Sequence, residues 1–222
     1  MKKLLKGIVE FRQTARPDYK EKFAHLALGQ SPDALFIACS DSRVVPNLFA
    51  STDPGDLFVV RNVGNLIPDC NPKNDSGKDE GIAAAIEFSV TNLQVSDIIV
   101  CGHSDCGAMH SLLDGRSNVP SVNLRSWLRH GEPSLNRIDE IREPLSPENR
   151  LSQVNVLQQL EHLQSYTVIR ERIAKGLLAL HAWWFDLKSA SVYAYEQTER
   201  KYLLIDEEES NRILDRRLNN SV

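Results

Sequence analysis

The sequence predicts an α/β fold, a mainly parallel sheet of about four or five strands flanked by helices. Two observations carry this expectation. First, residues 34–39 and 98–101 are short apolar runs closed by turn residues. They read as buried strands, although spacing alone does not separate a strand from a buried helix segment. Second, residues 81–93 between them carry Ile82, Ala85, Ile86, Val90 and Leu93 at helical spacing. Strand, helix and strand in that order make a parallel pair with a right-handed crossover.

The remaining elements follow in order. Residues 2–28 read as two helices. Leu4, Leu5, Ile8, Val9 and Phe11 form one apolar stripe, Phe23, Leu26 and Leu28 another, and Pro17 marks the boundary. Gln30-Ser31-Pro32 turns into the first strand. Residues 44–50 read as a short helix opening at Pro46, and Pro54-Gly55-Asp56 turns into a second buried strand at 57–60. Residues 67–80 are rich in Pro, Asn, Asp and Gly and read as a loop, and Gly107 opens a helix. Residues 114–150, broken by Pro120, Pro133, Pro144 and Pro147, hold two short helices, one around Trp127. Leu151, Val154, Leu157 and Leu160 make 151–163 an amphipathic helix. Residues 177–187 read as a strand, with 192–195 and 202–205 as more peripheral ones. The charged tail from Asp206 carries Ile213, Leu214 and Leu218, the pattern of a short final helix.

Composition excludes several classes of function. The 222 residues, 41% apolar and 25% charged, suit one globular domain over 1–222. A net charge of −4 with no basic stripe argues against nucleic acid and anionic membrane as partners. The four cysteines do not make a disulfide scaffold, and three of them sit at strand ends, which favours a reducing compartment. The opening MKKLLKGIVEF has no apolar run of signal-peptide length, and no run approaches a membrane span. The expected location is the cytoplasm.

The candidate chemistry lies at the ends of two predicted strands. If they are neighbours and parallel, Cys39 meets His103 and Cys106, a spacing of Cys-x63-His-x2-Cys. Two thiolates and an imidazole suit Zn²⁺, and three protein ligands leave the fourth position open for water, as in catalytic sites. Asp41 and Arg43 alternate with Cys39, so an extended backbone puts all three on one face. There Arg43 can grip the Asp41 carboxylate through a forked pair of hydrogen bonds.

Cys39-Ser40-Asp41-Ser42-Arg43 and Cys101-Gly102-His103-Ser104-Asp105-Cys106-Gly107, with residues 54–62 between them, resemble the β-class carbonic anhydrases. The resemblance runs from about residue 3 to about 187 and rests on both motifs at this separation. It implies one Zn²⁺ per subunit and reversible hydration of CO2 to bicarbonate by a metal-bound hydroxide. It also implies that Asp41 orients the attacking oxygen and that Arg43 holds Asp41 off the metal. By the same resemblance Phe58, Val63 and Phe88 match an apolar pocket and Gln30 an amide that holds a substrate oxygen. The family's N-terminal helices reach across to a second subunit, so a homodimer or homotetramer is implied. The positions at which one bacterial branch holds a regulatory bicarbonate are here Phe36, Arg61 and Phe185, two of which lack the polar donor.

The residues also allow plainer readings. Gly107 opens a helix whose N–H would face the metal site. The two phenylalanines suit plain core packing, and Cys101, inside an apolar run, suits a small buried hydrophobe. Cys70 falls in the polar loop. His110 suits a proton relay or an exposed helix position, and His25, His130, His162 and His181 read as structural or surface residues. Trp183 and Trp184 suit core or interface. The rival functions are a hydrolase of a CO2-like substrate such as CS2 on the same scaffold, and a structural-zinc or thiol-redox protein.

Overall fold

Four parallel strands form the heart of the computed structural model, which describes residues 1–71 and 79–219, without the side chains of the last two. They are β1 (Ala34–Cys39), β2 (Leu57–Asn62), β3 (Asp97–His103) and β4 (Ala179–Asp186). Their order is β2-β1-β3-β4. Two antiparallel strands, β5 (Ser191–Glu196) and β6 (Lys201–Leu204), continue the sheet beyond β4. The sheet thus has six strands, more than the sequence pattern suggested, because the two late strands join the same sheet.

Position in the sheet decides burial. β1 has a neighbour on each side and is buried throughout. β2 lies at the edge, and its residues alternate between half-buried and exposed after Phe58. The expectation of a buried second strand is corrected: its apolar run has one strand neighbour, and Val59 is exposed.

Helices cover one face. α4 (Glu80–Thr91), α7 (Pro147–Ser165) and α8 (Thr167–Ala174) supply Ala83, Ile86, Val90, Val156, Leu163 and Ile169. These pack on Leu35, Ile37, Ile98 and Val100 of the central strands. On the other face Phe36, Ala38, Ile99 and Cys101 pack with Val44, Phe49 and Phe185, Phe49 belonging to α3 (Pro46–Phe49). α5 (Gly107–Leu113), α6 (Val122–Trp127) and a run of 3-10 turns (Leu128–Glu140) surround the C-terminal ends of the strands. α9 (Glu207–Asn219) closes the chain, and its Arg212 and Arg216 pair with Glu196 of β5. Of the polar loop at 67–80, residues 72–78 lie outside the described residues, as does the Leu218 side chain.

One other expectation needs correction, and one helix carried no expectation. The segment 151–163 is not amphipathic in the ordinary sense. α7 is longer, 19 residues, and is buried on most sides. Ser152, Gln153, Asn155, Gln158, Gln159 and His162 are buried with its apolar residues. α8 went unread because Thr167, Val168 and Ile169 are β-branched, which lowers helix propensity. Burial of Ile169 against the sheet helix layer holds it in place.

α1 (Lys2–Gln13) and α2 (Arg16–Leu26) form as the spacing predicts, with proline in the first turn of α2. No residue of α1 is buried, and Leu4, Leu5, Ile8 and Val9 are each more than half exposed.

α7 crosses β3 so closely that Gly102 has no room for a side chain. A Cβ there would lie 2.8 Å from Val156 Cγ2 and 3.2 Å from the Ser152 carbonyl oxygen. Gly102→Ala therefore pushes α7 from the sheet, at about 1–3 kcal/mol of overpacking. In a chain of this length each kcal/mol lowers the melting temperature by about 2–4 °C. A thermal melt of the variant that matches the wild type would contradict this packing.

Candidate metal centre

Register brings the candidate ligands together. β1 and β3 are parallel with Ala38 opposite Cys101, so their C-terminal ends coincide. Cys39 ends β1 and His103 ends β3. A tight turn through Asp105, at φ 55°, then brings Cys106 back as the cap of α5. The donor atoms of Cys39, His103 and Cys106 lie within 4.8 Å of one another, and all three residues are buried. Among the described residues no other cluster of His, Cys, Asp or Glu is placed to hold a metal, and no fourth such donor joins this one.

The chemistry of the donors fits a metal ion. His103 Nδ1 is 2.9 Å from the Ser104 carbonyl oxygen and donates to it. The proton therefore sits on Nδ1, and Nε2 presents a lone pair, buried and without a hydrogen-bonding partner. The His103 carbonyl accepts from Ser152 Oγ at 2.7 Å, and Trp184 Nε1 donates to that hydroxyl at 3.1 Å. The Cys106 thiol beside Cys39 holds it below the ordinary thiol range, and the same pairing together with burial pushes Cys106 well above that range. The amide N–H groups of Gly64 and Asp41 add to the lowering at Cys39. Cys101 is fully buried among apolar residues, and burial pushes its thiol far up. It stands outside the cluster.

Arg43 clamps Asp41. Oδ1 of Asp41 accepts from Arg43 N and Nε, both at 2.9 Å, and Oδ2 accepts from Nη2 at 2.8 Å. The guanidinium beside it holds the Asp41 carboxyl far below the usual carboxylate range. Arg43 Nη1 also donates to Asp105 Oδ2 at 3.0 Å, and His110 Nε2 is 3.1 Å from Asp105 Oδ1. His110 is thus an exposed helix residue paired with an acid, one step removed from the cluster.

The other candidates separate into near and far. Val63, half exposed, adjoins Gly64, whose N–H points at Cys39 Sγ from 3.4 Å. Gly107 follows Cys106 directly and opens α5, with open space where a Cβ would be. Phe58 pairs with Leu35, four residues before Asn62 and its partner Cys39. That is about 13 Å along the strand. Phe58 and Phe88 pack on each other, ring centroids 5.9 Å apart, and Phe88 remains exposed. Gln30 is exposed in the connection before β1. These three do not meet the cluster of their own chain.

Phe36, Arg61 and Phe185 are engaged otherwise. Phe185 stacks on Phe49 at 4.7 Å, Phe36 tilts on the same ring at 6.0 Å, and Arg61 donates to the carbonyls of Cys39 and Asp41. His130 pairs with Asp79, His162 with the Ile67 carbonyl and His181 with Asp97. His25 is exposed, and Cys70 is half-buried against the helix layer. Residues that hold the centre but carried no motif are Trp127, Ser152, Asn155 and Gln159. Spacing alone read the three polar residues as the solvent side of an amphipathic helix and Trp127 only as part of a short helix.

A family profile described as carbonic anhydrase matches residues 34–192. The carbonic anhydrase of Pseudomonas aeruginosa is 36% identical over 209 residues, covering 93% of each chain. Carbonic anhydrase 1 of Escherichia coli O157:H7 is 38% identical over 208 residues, covering 91% of each. Among solved structures, the β-carbonic anhydrase CcaA superposes with a TM-score of 0.83 at 36% identity, covering 93% of this chain and 92% of that one. The tetrameric β-carbonic anhydrases of Sordaria macrospora give 0.73 at 29% identity, over 86% of this chain and 94% of theirs.

Elemental analysis of the purified chain should find one metal ion per chain. Cys39→Ala and His103→Ala should each lose it on dialysis, while Cys101→Ala keeps it. Loss from the Cys101 variant, or retention in both others, would place the metal elsewhere.

Proposed function

This chain belongs to the β class of the carbonic anhydrase family, and on that premise we propose that one zinc ion per chain, held by Cys39, His103 and Cys106, supports its reaction. The enzyme is a lyase that reversibly hydrates CO2 to bicarbonate and a proton. The observation that carries the zinc assignment is a buried set of two sulfurs and one nitrogen with no fourth donor joining it among the described residues. A structural site would normally have four. The carboxylate of Asp41, two residues after Cys39, is occupied by three hydrogen bonds from Arg43.

Zinc in this place supplies the Lewis acidity that makes a nucleophile of water. Two thiolates donate more charge than imidazoles would, so that nucleophile forms at higher pH than at an all-histidine site. Asp41 accepts a hydrogen bond from the attacking oxygen and aims it, and Arg43 fixes the carboxylate that does so. Val63 gives an apolar wall on the same chain, and the Gly107 N–H faces the position of the product oxygen. Gln30, Phe58 and Phe88, too far to serve their own chain, complete the pocket of a second copy.

A homo-oligomer follows from the same features. The exposed stripe of α1, with Val59 on the β2 edge, is apolar surface that a second copy would cover. Similar solved enzymes are named as tetrameric. One domain over residues 1–222 and a cytoplasmic location complete the proposal. Among the described residues no helix is long and apolar enough to cross a membrane.

Stopped-flow CO2 hydration tests this reading. Turnover should rise with pH through the alkaline range and vanish when a chelator has removed the metal. Full activity in the demetallated protein would end the zinc assignment. Arg43→Ala should keep its metal and lose activity by about 10- to 100-fold. Wild-type activity in that variant would remove the Asp41–Arg43 pair from the mechanism.

A further inference from the structure

The turn after β2 carries a backbone N–H into the metal centre. The Gly64 N–H donates to Cys39 Sγ at 3.4 Å. Gly64 has φ 81°, and a Cβ there would lie 2.8 Å from the Cβ of Ala108, so the turn sits tight against the first turn of α5. The peptide unit that owns this N–H begins with the Val63 carbonyl. That carbonyl accepts from Trp127 Nε1 at 2.8 Å. The next carbonyl, Gly64 O, accepts from Asn155 Nδ2 at 3.2 Å. Two successive peptide units are therefore each held by a side-chain donor, one at the end of α6 and one inside α7.

Asn155 is fixed in turn. It is fully buried, and its Oδ1 accepts from Gln159 Nε2 at 2.9 Å and Ser134 Oγ at 3.2 Å. Gln159 Oε1 accepts from the Ile67 N–H at 2.7 Å, and its Nε2 also reaches the His130 carbonyl at 3.1 Å. Trp127, Asn155 and Gln159 thus pin three backbone atoms of the 63–67 segment, and Asn62 and His162 bond to further ones.

The chemical consequence follows from the direction of the bonds. A donor aimed at a thiolate draws charge from the sulfur, which then gives less to a bound metal. The indole bond to the Val63 carbonyl polarises the same peptide unit and strengthens its N–H as a donor. We propose that Trp127 and Asn155 are positioning residues for the hydration reaction. They hold the 63–65 turn so that the Gly64 N–H withdraws charge from the Cys39 sulfur, and so they set the Lewis acidity of the centre. This rests on the zinc reading above.

The test uses the full-length protein with cobalt(II) in place of zinc. Trp127→Phe keeps an aromatic ring and deletes the indole N–H. Trp127 is half-buried at the surface, so folding should survive. Asn155→Leu is the buried counterpart. In both, the sulfur-to-cobalt charge-transfer band should move to longer wavelength, because a more electron-rich sulfur is easier to oxidise. The midpoint of the zinc enzyme's pH–rate profile should rise by about half a pH unit. Near neutral pH, kcat should fall by about 3-fold and recover towards wild type at alkaline pH. If band and midpoint stay put in Trp127→Phe while only the melting temperature falls, the residue is merely structural and the proposal is overturned. A wild-type protein that shows no sulfur-to-cobalt band at all overturns the metal assignment together with this one.

Discussion

The parallel register of β1 against β3 is the constraint from which the rest of the site follows. Ala38 opposite Cys101 sets the two strand ends level, so the sulfur that ends β1 arrives beside the imidazole that ends β3. A slip of one residue would turn Cys39 to the other face of the sheet. Burial on both faces forbids that slip, since it would also exchange Leu35 and Ile37 with Ala34, Phe36 and Ala38 between two differently shaped cores. The apolar packing of the strands and the geometry of the metal centre are thus one specification.

α7 links the two. Its Val156, Leu157, Leu160 and Leu163 pack on the helix face of the sheet, and three of its buried polar residues reach the site. Ser152 reaches the His103 carbonyl, Asn155 the Gly64 carbonyl and Gln159 the Ile67 amide. Buried polar groups are costly unless paired, and each of these finds a backbone partner at the site. The helix therefore spends burial of polar side chains on fixing loops that would otherwise move. Gly102, pressed against Val156 and Ser152, is where sheet packing and site positioning meet.

Much of this was legible in the sequence, for reasons that are local. Cys39, Asp41 and Arg43 alternate along one extended stretch, and His103 and Cys106 flank one turn, so short spacings announce them. The β1–α4–β3 order could be read from a change in periodicity. Other features depend on what lies across space. That β2 is an edge strand depends on strand order, which its apolar run does not encode. α8 is held by the burial of Ile169 against residues far away in sequence. Asn155 and Gln159 looked like the polar face of an amphipathic helix because spacing cannot say that this face meets a loop from residues 63–67. Trp127 marked a helix, but its partner, the Val63 carbonyl, is 64 residues away.

The central claim is that two sulfurs and one nitrogen from this chain hold one zinc ion and leave a position for solvent. X-ray absorption at the zinc edge of the purified protein in solution reads that donor set directly. The account predicts two sulfur neighbours at about 2.3 Å, one imidazole nitrogen at about 2.0–2.1 Å and one further light atom at a similar distance. A shell of four sulfur and imidazole donors, or one without sulfur, would contradict it.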